Sequence, residues 1–171
     1  MAVKSLIETV TVGAGGAASI EFTGIPQDGV DLVLLLSGRT DYSGVGRVVY
    51  TTINSDNSTT YQNRLLRGDG SAASSQIVSN TLGIYAGFID SASATSNTFE
   101  NLQMYVSNYA GSSQKSFSLE SVSENNATEA YQNIVAGLWP QTAAITSIKM
   151  TPLSANFVEH STASLYKIKY D

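Results

Sequence analysis

Residues 137–168, GLWPQTAAITSIKMTPLSANFVEHSTASLYKI, contain the pattern that decides the fold class of this chain. Two runs of strand-forming residues, 144–150 and 162–168, flank a turn-rich segment. The only tryptophan, Trp139, precedes the first run, and a ring that buries about 150–250 Å² usually anchors a core or an interface. Pro140 cannot donate a hydrogen bond to a sheet, so we expect it to mark a strand entrance. The stretch therefore predicts the closing hairpin of an all-β domain.

The rest of the chain repeats this pattern of short strands separated by Gly, Ser and Asn. No stretch keeps apolar residues at positions i, i+3, i+4 and i+7 over three helical turns. The compositions of residues 37–46 and 67–75 are typical of loops, and residues 59–66 fit either a strand or a short helix. The pattern predicts a single antiparallel β-sandwich that is jelly-roll-like. The other predicted strands are 19–22, 31–36, 48–53, 81–89, 99–106, 116–122 and 131–138.

The chain of 171 residues fits one domain, since no linker or change of composition divides it. We assign residues 13–171 to a single β-sandwich domain. Residues 1–12, MAVKSLIETVTV, fit either an ordinary edge strand or an arm that lies on a neighbour or on a shell. If this segment contacts a partner, we expect its apolar side chains to form the interface. These residues are Val3, Leu6, Ile7 and Val10.

The composition excludes several classes of protein. The chain has no cysteine, so it forms neither a disulfide framework nor a thiolate metal site. Its net charge is −5 and its nine Lys and Arg are scattered, so we expect no nucleic acid partner. No apolar run approaches the length of about 18–20 residues that a membrane helix needs, so we expect no membrane partner. Glu8 interrupts the apolar residues near the N-terminus, so we expect no secretion signal.

Candidate catalytic and metal-binding residues are few. His160 is the only histidine, and we expect an exposed turn residue there. Zinc needs three or four ligands, and a catalytic triad needs a nucleophile and an acid around its histidine. The loops that contain Asp28, Asp41 and Asp56 hold oxygen ligands, but their spacing matches no calcium loop, and such residues mostly stabilise turns. We therefore predict no metal, no cofactor and no catalytic residue.

A carbohydrate-active enzyme on a β-sandwich is an alternative of another class. Such an enzyme needs two carboxylates about 5–10 Å apart in a groove, and the two residues need only meet in space. The 14 Asp and Glu of this chain are dispersed, and we expect neither a pair nor a groove.

Two further patterns have both a structural and a functional interpretation. Arg67-Gly68-Asp69 spells an integrin-type tripeptide, but Arg-Gly-Asp-Gly also favours a tight turn, which is our prediction here. The nine tyrosines are spread along the chain. They fit either a sugar-stacking platform or half-buried positions on strand faces, of which the second is commoner.

Four segments carry motifs in an order that resembles one family. They are GIPQDGVDLVLLLSGR, TTINSDNSTTYQNRLLRGDG, MYVSNYAGSSQKS, and LWPQTAAITSI with STASLYKI. Together they cover most of residues 20–168 and are similar to small structural proteins of tailed bacteriophages, especially those of marine and cyanobacterial hosts. The chain departs from that family at Lys167 and His160, where relatives have Gly, and at Asn54-Ser55-Asp56, where they have Asn-Gly-Asp.

The resemblance implies a virion protein without catalysis. We expect a capsid decoration or cement protein that is made in the host cytoplasm and binds the major capsid protein on the capsid surface. A homotrimer suits the three-fold points of such a lattice. The alternative that the resemblance leaves open is a tail or fibre component, either an adaptor or a module that binds a receptor or a glycan.

Overall fold

The computed structural model describes residues 1–58, 60–79, 82–126 and 129–170. In these ranges the chain is all-β, with twelve strands and no helix. The strands form two antiparallel sheets, one of eight strands and one of four. The predicted all-β fold is confirmed, and the two sheets pack in an open, sandwich-like arrangement.

The strands are numbered in chain order. They are β1 (Ala2–Thr11), β2 (Ile20–Phe22), β3 (Asp31–Gly38), β4 (Gly46–Ile53), β5 (Gln62–Gly68), β6 (Ala73–Ser79), β7 (Ile84–Asp90), β8 (Glu100–Val106), β9 (Lys115–Ser123), β10 (Tyr131–Trp139), β11 (Ile148–Pro152) and β12 (Thr162–Tyr170). The larger sheet has the order β1-β12-β3-β8-β9-β10-β5-β6, and the smaller sheet has the order β2-β11-β4-β7. The edges are therefore β1 and β6 in the larger sheet, and β2 and β7 in the smaller one.

The hydrophobic core lies between the two sheets. In the larger sheet, the register places Leu34, Met104, Leu119 and Val135 side by side on four neighbouring strands, and all four are buried. Because side chains alternate between the two faces of a strand, the intervening residues point away from the core. We call that second side the outer face of the larger sheet. The smaller sheet contributes Phe22, Val49, Ile53, Ile84 and Met150 to the core.

The predicted closing hairpin is wrong. β11 pairs with β2 and β4 in the smaller sheet, whereas β12 pairs with β1 and β3 in the larger sheet. Residues 153–161 join these strands and carry Phe157, whose side chain is fully buried and whose backbone exchanges two hydrogen bonds with Ala17. Both strands are apolar on one face, and that pattern alone does not indicate which sheet a strand joins. Pro140 also differs from the expectation, because it follows the end of β10 instead of opening a strand.

The predicted loop over residues 67–75 is wrong at both ends. β5 continues through Gly68 and β6 begins at Ala73, so a short turn joins them into a hairpin. β6 is mostly polar, and only its Ile-Val pair has a strong strand propensity, which explains why the pattern hides it. The segment predicted from Thr59, as a strand or a short helix, and the strand predicted from Thr81 both begin at residues outside the described ranges.

Candidate functional site

The outer face of the larger sheet carries four exposed aliphatic side chains on neighbouring strands. Ile77 on β6 is 61 % exposed, Leu66 on β5 is 49 %, Ile134 on β10 is 44 %, and Val122 on β9 is 40 %. Leu66 lies directly opposite Ile134, and the other two residues lie at diagonal positions on the adjoining strands. Side chains at such positions are within reach of one another. We call these four residues the outer apolar row.

The surface around the outer apolar row is broad and shallow. Depressions of about 230 and 280 Å³ lie beside it. Two charged residues of opposite sign flank the row on the same face, because Arg64 lies opposite Ile77 and Glu120 lies opposite Ile134. An apolar centre with polar residues at its border is the composition of a surface that binds another macromolecule.

The four predicted interface residues lie on β1, at the opposite edge of the larger sheet. β1 pairs with β12, and its register shifts at a bulge between Leu6 and Glu8. The side chains of Val3 and Leu6 are 43 % and 55 % exposed, whereas Ile7 and Val10 are half-buried and pack against the core. Residues 2–11 thus form an edge strand of their own sheet. Contact with a neighbour stays a prediction, and it concerns Val3 and Leu6 first.

The tyrosines lie mainly on strand faces. Three are buried, five are half-buried, and Tyr170 is exposed, so the structural interpretation is confirmed. The hydroxyls of Tyr105 and Tyr170 donate hydrogen bonds to Asp31, at 2.7 and 2.8 Å. Burial acts to raise the pKa of Asp31, but these two bonds and one from the Asn108 amide lower it overall. These tyrosines therefore tie strand ends together.

The outer face of the smaller sheet has a depression of its own, of about 290 Å³. Tyr50, Thr52, Lys149 and Thr151 contribute to its lining. The ring of Tyr50 meets the ring of Tyr85 edge-on, with the ring centroids 6.1 Å apart. The Tyr50 hydroxyl is protonated at neutral pH, because its ordinary pKa of 10.0 lies far above 7 and burial raises that pKa further, so the hydroxyl both donates and accepts hydrogen bonds. An aromatic ring beside several hydroxyls offers the groups that a sugar contacts.

Two carboxylates, Asp90 and Glu100, lie close enough in the interior for the charge of Asp90 to act on Glu100. Asp90 and Glu100 are each 1 % exposed. Oδ1 of Asp90 accepts hydrogen bonds from Ser123 (2.6 Å) and Asn125 (2.8 Å), whereas Oδ2 of Asp90 and both oxygens of Glu100 have no partner of good geometry. Burial raises the pKa of Glu100 well above its usual range; the Ser121 hydroxyl acts against this, and the Asp90 charge adds to it. Glu100 therefore keeps its proton well above pH 4.5.

This pair differs from the arrangement that glycoside hydrolysis needs. A glycosidase places its carboxylates on either side of a bound sugar, whereas Asp90 and Glu100 are enclosed between the sheets. Asp90 is the last residue of β7 and Glu100 is the first residue of β8, so the connection between the two sheets brings them together. Acidic residues at the facing ends of two consecutive strands are the signal that could have indicated this pair from the sequence.

Arg67-Gly68-Asp69 serves the hairpin of β5 and β6, as the turn interpretation predicts. Arg67 donates a hydrogen bond to the Tyr85 hydroxyl at 2.7 Å. Asp69 accepts a hydrogen bond from the Ala72 amide at 2.7 Å, and this bond is the main cause that lowers its pKa. Both charged side chains of the tripeptide thus bind their own chain.

The remaining candidate residues also stabilise turns. His160 is exposed and has a left-handed φ of 71°, which confirms the predicted turn histidine. Asp41 accepts hydrogen bonds from the amide and the side chain of Asn156, at 2.8 and 2.9 Å. Asp56 accepts one from the indole of Trp139 at 2.6 Å. The acidic loops at Asp41 and Asp56 therefore connect distant segments of the same chain.

Within the described ranges, no group of three or more His, Asp or Glu side chains is placed to hold a metal ion. No helix in this part of the chain is long and apolar enough to span a membrane. No protein-family model matches the sequence, and no curated protein matches it either. The resemblance to phage structural proteins stays a prediction from the four quoted segments.

Proposed function

We propose that this chain is a virion structural protein of a tailed bacteriophage, a capsid decoration or cement protein that acts without catalysis. The observation that carries the proposal is the outer apolar row, whose four side chains are 40 % to 61 % exposed. Contiguous exposed apolar surface is typical of a docking site for another macromolecule. The quoted sequence segments support a phage protein, and the outer face supports a docking role.

A cement protein holds a repeating lattice by contact area. Specific stable interfaces bury about 800 Å² on each partner, and the outer face of an eight-stranded sheet offers such an area without a pocket. Burial of apolar surface contributes about 25 cal/mol per Å², which favours seating the outer apolar row on the partner. The partner that fits this role is the major capsid protein, to which this chain would bind on the outer surface of the head.

The proposal includes a homotrimer on the three-fold points of the shell. Cyclic symmetry allows the same weak contact with the lattice to be made by each of the three subunits. Because the three contacts are linked, the overall affinity is much higher than that of one contact alone. Val3 and Leu6, whose side chains are exposed on β1, are the residues that we expect at a contact with a neighbouring copy or with the shell.

Immunogold labelling of intact virions tests the location of the chain. Electron microscopy should show label in many copies over the head. Label confined to the end of the tail would contradict the cement role and would favour the second candidate below.

A binding assay with capsids that lack this protein tests whether the outer face of the larger sheet is the docking surface. Ile134→Lys places a charge in the centre of the outer apolar row and should weaken co-sedimentation by on the order of tenfold, which corresponds to ~1.4 kcal/mol. Ser118→Lys adds the same charge at an exposed polar position of the same face and should weaken it much less. An equal loss in the two variants, or no loss in either, would rule out the outer apolar row as the docking surface.

The depression beside Tyr50 favours a second candidate, a tail or fibre module that binds a glycan. A sugar seated there would contact the exposed part of the ring and the hydroxyls of Thr52 and Thr151. Titration of the isotope-labelled chain with host surface glycans should then shift resonances around Tyr50, and Tyr50→Ala should abolish the shifts. Tyr170→Ala removes an exposed tyrosine elsewhere and should leave them unchanged.

A further inference from the structure

The two sheets have four edge strands, and three of them carry features that oppose pairing with another chain. Bulges, charges and short length are the usual means of protecting an edge. β1 has a bulge between Leu6 and Glu8 and also carries Lys4. β2 is three residues long and contains Glu21. β7 has a register shift against β4 and ends in Asp90.

β6 has none of these protective features. Its sequence, ASSQIVS, contains no charge and no proline, and its seven residues pair with β5 in an unbroken register. Residues 73–77 are exposed, and no described strand pairs with the other side of β6. The backbone N–H and C=O groups on that side form a free edge about 23 Å long. A free edge of this length is a template for another strand.

We propose that β6 pairs with β6 of a second copy of this chain, antiparallel and about a two-fold axis. The axis passes through Gln76, so Ser75 lies opposite Ile77 of the second copy and Ala73 lies opposite Ser79 of the second copy. All seven residues of the strand are then paired. Residues that lie opposite each other in an antiparallel pair share a face, so the outer faces of the two larger sheets join into one surface.

The absence of charged side chains on β6 favours this partner, because two identical uncharged strands pair without electrostatic repulsion. On the outer face, the charged residue that the register places beside β6 is Arg64, opposite Ile77. In the proposed pair, the two copies of Arg64 are three strand spacings apart across the sheet and two residues apart along it, or about 16 Å. That distance exceeds the Debye length of about 8 Å at physiological ionic strength. The bulge of β1 between Leu6 and Glu8 would instead interrupt the regular ladder that self-pairing of that strand needs.

The outer apolar row supports the same partner. The row ends at the free edge with Ile77, its most exposed member at 61 %. A second copy continues the row with its own Ile77 and covers part of both side chains. The contact is only about 23 Å long and is thus smaller than the ~800 Å² that each partner of a standard interface buries. We therefore expect a reversible dimer whose population depends on concentration.

This contact goes beyond the proposed function and does not depend on it. A two-fold contact closes at two copies, so it makes a dimer of a monomeric chain. Its test uses the purified chain alone, whereas the cement role is tested on virions. Failure of one proposal is therefore distinguishable from failure of the other.

Sedimentation velocity over a concentration series tests the self-association. The wild-type chain should show a species of twice the starting mass that grows with concentration. Ser75→Lys places a lysine against Ile77 of the second copy and should raise the dissociation constant at least about tenfold. Ser118→Lys, which adds the same charge on β9 away from the edge, should leave it unchanged. The proposal is overturned if no doubling occurs in the wild type, or if the two variants behave alike.

Single engineered cysteines test the two-fold axis itself, because the chain has no cysteine of its own. Gln76→Cys places two thiols on the axis, where Cα atoms are about 4.5–5.5 Å apart and within disulfide range. Ser74→Cys is exposed on the same strand, but its two copies would be at least about 13 Å apart. Mild oxidation should link Gln76→Cys chains at least tenfold faster than Ser74→Cys chains. Equal rates would overturn the proposed register.

Discussion

The indole of Trp139 donates a hydrogen bond to Oδ2 of Asp56 at 2.6 Å, and this bond joins the end of β10 to the turn that follows β4. Trp139 is 2 % exposed, so the Asp56 carboxylate is the acceptor available to its N–H away from water. The same bond is the main cause that lowers the pKa of Asp56; burial acts against it, and the Ser58 amide adds to it. The tryptophan that anchors the core is thus fixed by a polar bond as well as by packing.

Asp56→Ala should destabilise the fold by about 1–3 kcal/mol, because it leaves a buried N–H without an acceptor. Urea unfolding followed by the fluorescence of Trp139 measures the change. Asp69→Ala is the matched control, since Asp69 also accepts bonds from its own turn but from no buried side chain. A loss of equal size in both variants would mean that the turn bonds account for the effect and that the indole bond adds nothing.

Phe157→Ala should lower the free energy of unfolding by about 3–5 kcal/mol, the range for deleting a buried aromatic ring. Phe157 is fully buried although it lies in the connection between β11 and β12. Thermal and urea unfolding both measure the loss, and Ile77→Ala, at a 61 % exposed position, should change stability by less than ~0.5 kcal/mol. A cost below about 1 kcal/mol for Phe157→Ala would show that this connection is not part of the core.

Most strand positions follow from local pattern, whereas the assignment of strands to sheets does not. The apolar run DLVLLL predicts β3, and residues 116–122 are predicted as the strand that the structure has as β9. The partner of a strand depends on how the chain crosses between the sheets, which is a long-range property. For that reason β11 and β12 look like a hairpin in the sequence and belong to different sheets in the structure.

The outer apolar row is hidden in the sequence for a related reason. Leu65 and Leu66 are neighbours of the same type, yet Leu65 is 2 % exposed and Leu66 is 49 % exposed. Only the register of β5 decides which of them faces the core, and a shift of one residue would exchange them. An apolar residue that faces outward therefore has the same letter as one that faces inward. The row is visible only after the four strands are placed side by side.

Gly87→Ala should destabilise the fold by about 1–3 kcal/mol or more, because the position has a strained backbone for any other residue. Its φ is +116°, and an added Cβ would overlap Oγ of Ser121 and lie 3.2 Å from Oε1 of Glu100. Gly68→Ala is the control, since its added Cβ would meet nothing within 4 Å. Circular dichroism during heating measures both variants. If Gly87→Ala lowers the thermal stability no more than Gly68→Ala does, the interior around Glu100 has room that the structure does not show.

Glu100→Gln should remove a pH dependence of stability from this chain. Burial raises the pKa of Glu100 well above 4.5, whereas in the unfolded chain the group titrates near that value. Below pH 4.5 the Glu100 carboxyl is protonated in both the folded and the unfolded state, so its titration does not lower the free energy of unfolding. As the pH rises above that value, the unfolded state releases its proton while the folded state keeps it, so the free energy of unfolding falls by about 1.4 kcal/mol per pH unit until the raised pKa is reached.

The variant isolates this effect because glutamine resembles the neutral acid and does not titrate. Urea unfolding from pH 4.5 upward should show the variant gaining on the wild type as the pH rises. Hydrogen bonds from Lys167 and Lys169 lower the pKa of Asp28 to about 2. Asp28 therefore contributes to stability in the opposite direction, and this contribution is lost only as the pH falls below the ordinary pKa of 3.8. The two windows therefore do not overlap. A pH profile of Glu100→Gln that runs parallel to that of the wild type would mean that the Glu100 carboxyl is ionised in the folded chain.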